Sequence, residues 1–232
     1  MKNRDYKNFA KGEMYHVYNR GVGKMNLFED SDDFKVFLNR LKENLFPETA
    51  KLAQDNKFSI STRYKKIYKR KLLPPNSFDL ICYCLMPNHF HLLIQQLTDL
   101  SVNKLISKVC TGFSIYYNKK HNRVGSVFQD AFKAVLIENN EQLLWTSLYI
   151  HENPQKSGLV KFPENYAWSS FTDYQDLNKN TLCNRDILLK QFHSPKSYLK
   201  YFKDIKENTR AQNQMIGFQD LFIDEDFLTN QA

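Results

Sequence analysis

The segment 77–96, SFDLICYCLMPNHFHLLIQQ, constrains the fold of this chain more than any other. It holds two short apolar runs of strand length, and Pro87-Asn88 between them predicts a tight turn. Ser77 to Met86 is therefore predicted as one strand and His89 to Gln96 as its antiparallel return. The first run is apolar at most positions, so it must be buried, and the rest of the chain has to supply what covers it.

The flanking segments supply strands and helices in a definite order. Glu13 to Val22 (EMYHVYNRGV) mixes aromatic and β-branched residues and ends at a glycine, which predicts a first strand. Phe34, Phe37, Leu38, Leu41 and Leu45 recur at helical spacing behind Ser31, a good N-cap, and Phe46-Pro47 predicts the end of that helix. After the hairpin, Leu105, Ile106, Val109 and Phe113 define a helix over 100–120. Val127 to Ile137 is predicted as a fourth strand, and Asn140 opens a helix, EQLLWTSLYIHE, that is expected to stop before Pro154. The order β-α-β-β-α-β predicts an α+β, ferredoxin-like fold: an antiparallel sheet with two helices on one face, then an added helix. Residues 1–174 form the expected core and 175–232 a helical C-terminal extension, with short helices near 184–191 and 195–207. Residues 1–12 are expected to be a loose polar arm.

Composition bears on the partner. The chain of 232 residues carries a formal net charge of +8 and has 18 Phe and 13 Tyr. A basic chain with many aromatics suits a polyanion with exposed bases, that is, single-stranded nucleic acid. An insertion at about 48–76 concentrates this character: Lys57 to Lys71 holds seven Lys or Arg and no acid, interleaved with Phe58, Tyr64 and Tyr68. A solvated loop and a phosphate-contacting arm are equally consistent with it. Cys82, Cys84, Cys110 and Cys183 form no CxxC pair, which argues against a structural zinc site, and Cys82 and Cys84 are expected to pack as small hydrophobes. The polar N-terminus and the lack of a long apolar stretch predict no membrane association and a cytoplasmic protein.

Few residues can carry chemistry. His89 and His91 alternate with Phe90 in a strand, so both imidazoles point the same way and can share one divalent ion. An ordinary pair of strand histidines has the same spacing. Tyr149 and Asn153 lie one turn apart on a helix, so the phenol and the amide share a face; a core tyrosine and a helix-ending Asn would look alike. Tyr116 and Tyr117, with Asn118, Lys119, Lys120, His121 and Arg123 behind them, are the rival nucleophiles or the wall of a DNA groove. His16 and His193 are expected to be structural. His151 sits about 200° round the helix from Tyr149 and is expected to face elsewhere. No P-loop, GxGxxG or Ser-His-Asp pattern is present to suggest a nucleotide-dependent enzyme or a serine hydrolase.

Five segments, taken together, resemble the REP-associated tyrosine transposases of the single-tyrosine HUH superfamily: YHVYNRG (15–21), LMPNHFHLLI (85–94), YYNKKHNRVGSVFQDAFKAVLI (116–137), SLYIHENP (147–154) and AWSSF (167–171). The resemblance implies that His89, His91 and Asn153 hold Mg²⁺ or Mn²⁺. It implies that Tyr149 is the nucleophile, with Asn153 beside it, and that Tyr116 and Tyr117 are not. It also implies cleavage and rejoining of single-stranded DNA next to short hairpins through a 5′-phosphotyrosine. Arg20, Tyr116, Tyr117, Asn118, Lys119, Lys120, Arg123 and Lys133 are the expected nucleic-acid contacts, in a bacterial, nucleoid-associated protein that acts as a monomer or homodimer. Two other readings remain: a domesticated DNA or RNA hairpin-binding protein that does not cleave, and a metal-dependent nuclease that activates water.

Overall fold

The computed structural model describes residues 8–50, 71–176 and 180–207. The basic run 57–71 with Phe58, Tyr64 and Tyr68, all but Lys71, and the polar end of the chain lie outside the described residues.

The hairpin forms as its sequence predicts. Strands β2 (Phe78–Met86) and β3 (His89–Gln96) pair antiparallel around Pro87-Asn88. With β1 (Met14–Arg20) and β4 (Lys133–Ile137) they build a four-stranded antiparallel sheet in the order β2-β3-β1-β4. Helices α1 (Ser31–Leu45) and α2 (Val102–Lys120) complete the β-α-β-β-α-β frame. They cover one face, where Phe37, Leu41, Leu105, Val109 and Phe113 meet Val17, Leu85, Phe90 and Leu92. The other face lies under α3 (Asn140–Lys156), which places Leu143 and Ile150 against Cys82, Cys84, Met86 and Leu93. Cys82 and Cys84 are fully buried there as small apolar groups. A sheet buried on both faces explains why β2 is apolar at most positions instead of alternating.

Local chemistry shifts several boundaries. Asp30, not Ser31, caps α1: its carboxylate accepts from the N–H groups of Asp32 and Asp33, and Asp33 returns a bond to the Asp30 N–H, closing a capping box. The Asp33 carboxylate is fully buried. It also accepts from Lys120 Nζ at 2.7 Å and from the Tyr116 hydroxyl at 3.0 Å, and so clips the end of α2 to the start of α1. Strand β4 begins at Lys133 rather than Val127. Residues 127–132 leave the ladder after a single bridge from Phe128 to Gly21, because Phe128 turns into the aromatic core beside Phe90 and Phe113. Helix α3 does not stop before Pro154 but runs through it to Lys156. A proline there sacrifices only one donor in the last turn, and the following N–H groups still close on Asn153 and Pro154.

Residues 8–12 are not a loose arm. Phe9 packs edge-on against Tyr15 at 4.7 Å, and the Gly12 N–H reaches the Gln96 carbonyl. Beyond α3, Phe171–Gln175 (α4), Asp186–Leu189 (α5) and Pro195–Glu207 (α6) are helical. Tyr198 and Phe202 of α6 are buried against the α3 side, and bridges at Ser169 and Cys183 occupy the outer edge of β2. An edge that would otherwise present open N–H and C=O groups is thereby capped by the chain itself. Among the described residues, no helix is long and apolar enough to cross a membrane.

Candidate active site

The sheet register brings β1 and β3 side chains together on the face under α3. Tyr18 stands opposite His91 and Arg20 opposite His89, and directly opposed residues share a face. His16, Tyr18 and Arg20 therefore join His89 and His91 on one side, while Phe90 anchors the strand in the opposite core. Gly21, next in line, donates its N–H to the Asn88 carbonyl at 2.8 Å. A Cβ at this glycine would lie 2.2 Å from the Met25 carbonyl oxygen, so the close turn beside the histidines needs glycine.

Both imidazoles are held by their Nδ1 atoms. His89 Nδ1 lies 2.6 Å from Asn88 Oδ1, and His91 Nδ1 lies 2.9 Å from His16 Nε2. The rings stand perpendicular with centroids 5.0 Å apart. Burial pushes the His89 pKa down to about 3, partly countered by the nearby Asn153 and assisted by the Arg20 charge. His91 is depressed by burial and by its His89 and His16 neighbours. Both rings are therefore neutral at ordinary pH, the form that binds metals.

Helix α3 supplies the remaining groups. The Tyr149 ring is half-buried and stands edge-on to His91 with centroids 5.4 Å apart, and 6.0 Å from His16. Asn153, one turn on, lies close enough to His89 and to the Tyr149 phenol to influence the ionisation of both, and its Nδ2 donates to the Tyr149 carbonyl at 3.1 Å. Burial raises the Tyr149 pKa well above the usual phenol range, partly offset by the nearby Asn153. The phenol is thus protonated at neutral pH. Lys156 Nζ lies 5.8 Å over the same ring and 2.9 Å from Glu152.

The chemistry of these side chains is compatible with a divalent ion. His91 Nε2 is buried and has no hydrogen-bond partner among the described atoms, as expected of a ligand nitrogen. Two imidazoles and an amide oxygen suit Mn²⁺, and Mg²⁺ less closely. No group of three or more His, Cys, Asp or Glu side chains that could hold an ion is present among the described residues.

The other expected contacts divide. Tyr117 is buried, with its hydroxyl on the Asn26 carbonyl and Glu29, and Tyr116 and Lys120 are engaged with Asp33. Arg123 reaches Met25, and Asn118 holds the Gly125 carbonyl. These residues brace the end of α2, while Lys119 is exposed. Arg20, whose Nε donates to Gln129 Oε1 at 2.5 Å, stands opposite His89, and Lys133 at the start of β4 stands opposite Tyr18, one strand further from the histidines.

His16, expected to be structural, is fully buried, with its Nε2 2.9 Å from Nδ1 of His91. The signal available in the sequence was its parity with Tyr18 and Arg20 along β1. His151 faces away from Tyr149, as its helical angle predicts, with Nδ1 3.2 Å from the Tyr198 hydroxyl and Nε2 2.9 Å from Ser170 Oγ. Burial depresses its pKa to about 3, against an ordinary value of 6.5. Because the folded-state pKa is the lower one, this group stabilises the fold fully above pH 6.5. That stability is lost as the pH falls from 6.5 toward 3. Thermal unfolding of the metal-free chain should show a falling Tm over that window, less steep in His151→Gln.

Residues 51–153 match the family model described as "Transposase IS200 like". The chain is also similar to a solved structure described as the REP-associated tyrosine transposase bound to a REP hairpin. The TM-score is 0.53 at 14% sequence identity, over 76% of this chain and 87% of that one. A likeness at that identity establishes a shared fold. No curated protein matches the chain.

Proposed function

We propose, from the match of residues 51–153 to the IS200-like transposase family model, that the chain cuts and rejoins single-stranded DNA beside hairpins, with Tyr149 as nucleophile and a Mg²⁺ or Mn²⁺ ion held by His89, His91 and Asn153. The observation that carries this reading is the convergence, within one chain, of the Tyr149 phenol and the Asn153 amide of α3 on the two neutral imidazoles of β3. A site assembled from one chain serves a monomer or a homodimer equally well. The solved relative bound to a REP hairpin supports hairpin DNA as the substrate class.

The residues divide the work as follows. The ion, when bound, withdraws charge from a phosphoryl oxygen and so favours attack on an otherwise anionic phosphodiester. Tyr149 attacks phosphorus as the bond to the 3′ oxygen breaks, leaving a 5′-phosphotyrosine and a 3′-hydroxyl. The phenolic proton is released from Tyr149 Oη and one is taken up at the departing 3′ oxygen, so the step balances without a further reactant. Asn153, one turn from Tyr149 on the same helix, is the residue placed to orient the phenol. Arg20 and Lys133, cationic and on the same sheet, are the nearest expected phosphate contacts.

The test incubates the full chain with single-stranded hairpin DNA and Mn²⁺, then digests and sequences the adduct by mass spectrometry. The expected result is a nucleotide on the peptide carrying Tyr149, absent when metal is chelated. Tight hairpin binding with no adduct under either ion would favour the non-cleaving hairpin-binding alternative. Free 5′-phosphate ends without adduct would favour a water-activating nuclease.

A further inference from the structure

We infer that His16 is a positioning residue for metal binding: its Nε2 accepts the Nδ1 proton of His91 and so forces the His91 Nε2 lone pair toward the ion. The inference rests on the metal site proposed above. His16 Nε2 and His91 Nδ1 are 2.9 Å apart and both side chains are buried, so one ring must donate and the other accept. If His16 donated, His91 would carry its own proton on Nε2, the buried atom that has no partner among the described residues, and could not ligate. If His16 accepts, His91 Nε2 is a bare lone pair, and the ring is fixed in plane and tautomer. Only the second arrangement is compatible with an ion, so binding selects it.

The surroundings leave His16 little room to act otherwise. Its ring lies 5.1 Å from His91, nearly parallel, 5.1 Å from Tyr18, and 6.0 Å from the Tyr149 ring. It is thus packed against the ligand and the nucleophile together, behind both of them. Asn88 plays the matching part for His89 at 2.6 Å. The two candidate ligands are therefore oriented by different devices: an amide from the hairpin turn and an imidazole from the neighbouring strand.

The experiment titrates Mn²⁺ into the full chain and into His16→Leu, His16→Gln and His91→Ala, and records metal-free thermal unfolding of each. Gln places an acceptor oxygen near the position of the imidazole Nε2, whereas Leu fills the space with no acceptor. The expected result is about 10–100-fold weaker Mn²⁺ binding in His16→Leu and affinity close to the parent in His16→Gln, with metal-free stabilities of the two variants alike. Parent-like binding by His16→Leu, or equal weakening in both His16 variants, overturns the inference while leaving the site in place. Parent-like binding by His91→Ala overturns the metal site itself, and this inference with it.

Discussion

Replacing Tyr149 with phenylalanine is expected to abolish the covalent DNA adduct and lower strand cleavage by roughly three orders of magnitude or more, while the chain stays folded. The size follows from the role: loss of a nucleophile removes nearly all of the acceleration that a coupled site provides. The small structural effect follows from the environment. The ring is half-buried and keeps its contacts with His91 and His16, and only what the hydroxyl itself contributes is lost. That costs about 1 kcal/mol. Tyr117→Phe should show the opposite pattern. Its hydroxyl is bonded to the Asn26 carbonyl at 2.8 Å and to Glu29 at 3.0 Å, so stability falls by about 1–2 kcal/mol and the adduct still forms. Gel shift under denaturing conditions reads the adduct, and thermal unfolding reads the fold. An adduct that survives Tyr149→Phe and vanishes in Tyr117→Phe would refute the assignment.

Phe90→Ala is expected to cost about 3–5 kcal/mol, roughly a 10 °C fall in Tm for a chain of this size. Phe90 is fully buried between the two candidate ligands in sequence but points to the opposite face. Its ring centroid there lies 5.0 Å from Phe37 and 6.0 Å from Phe128. Truncation leaves a cavity bounded by α1, α2 and the turn from 127 to 132, rigid elements that cannot all move in to fill it. Phe90→Leu, which keeps most of the volume, should cost only about 1–1.5 kcal/mol. The variant also tests why a large hydrophobe sits between the histidines: it pins β3 so that both imidazoles are presented on a fixed register. Mn²⁺ affinity should therefore fall in Phe90→Ala even at temperatures where it is folded. Unchanged Tm and unchanged affinity together would show that this core does not support the site.

The parts of the site that were legible in the sequence are those set by short-range periodicity. His89 and His91 share a face because strand side chains alternate, and Tyr149 and Asn153 share one because a helix repeats every 3.6 residues. Neither depends on how the chain folds elsewhere. The resemblance to REP-associated transposases added the expectation that the two pairs meet. What could not be read was His16. Its partner His91 is 75 residues away, and their contact exists only because β1 pairs with β3 in a particular register. The misjudged boundaries have the same character. Val127 to Phe132 has strand composition, yet Phe128 is drawn into the core and breaks the ladder; Pro154 reads as a stop, yet at the last turn of α3 it is tolerated.

The amino-acid sequence by itself determined the hairpin, the β-α-β-β-α-β order and the two chemically capable pairs, because each is written in neighbouring residues through backbone geometry and hydrophobic period. Tertiary structure alone decided which residues face those pairs. Tyr117 and Lys120 were taken up in bracing α2 against the start of α1, and His16 was brought against His91. Burial then kept the imidazoles neutral and the phenol protonated, because desolvation depends on what the fold packs around a group and not on its neighbours in the chain.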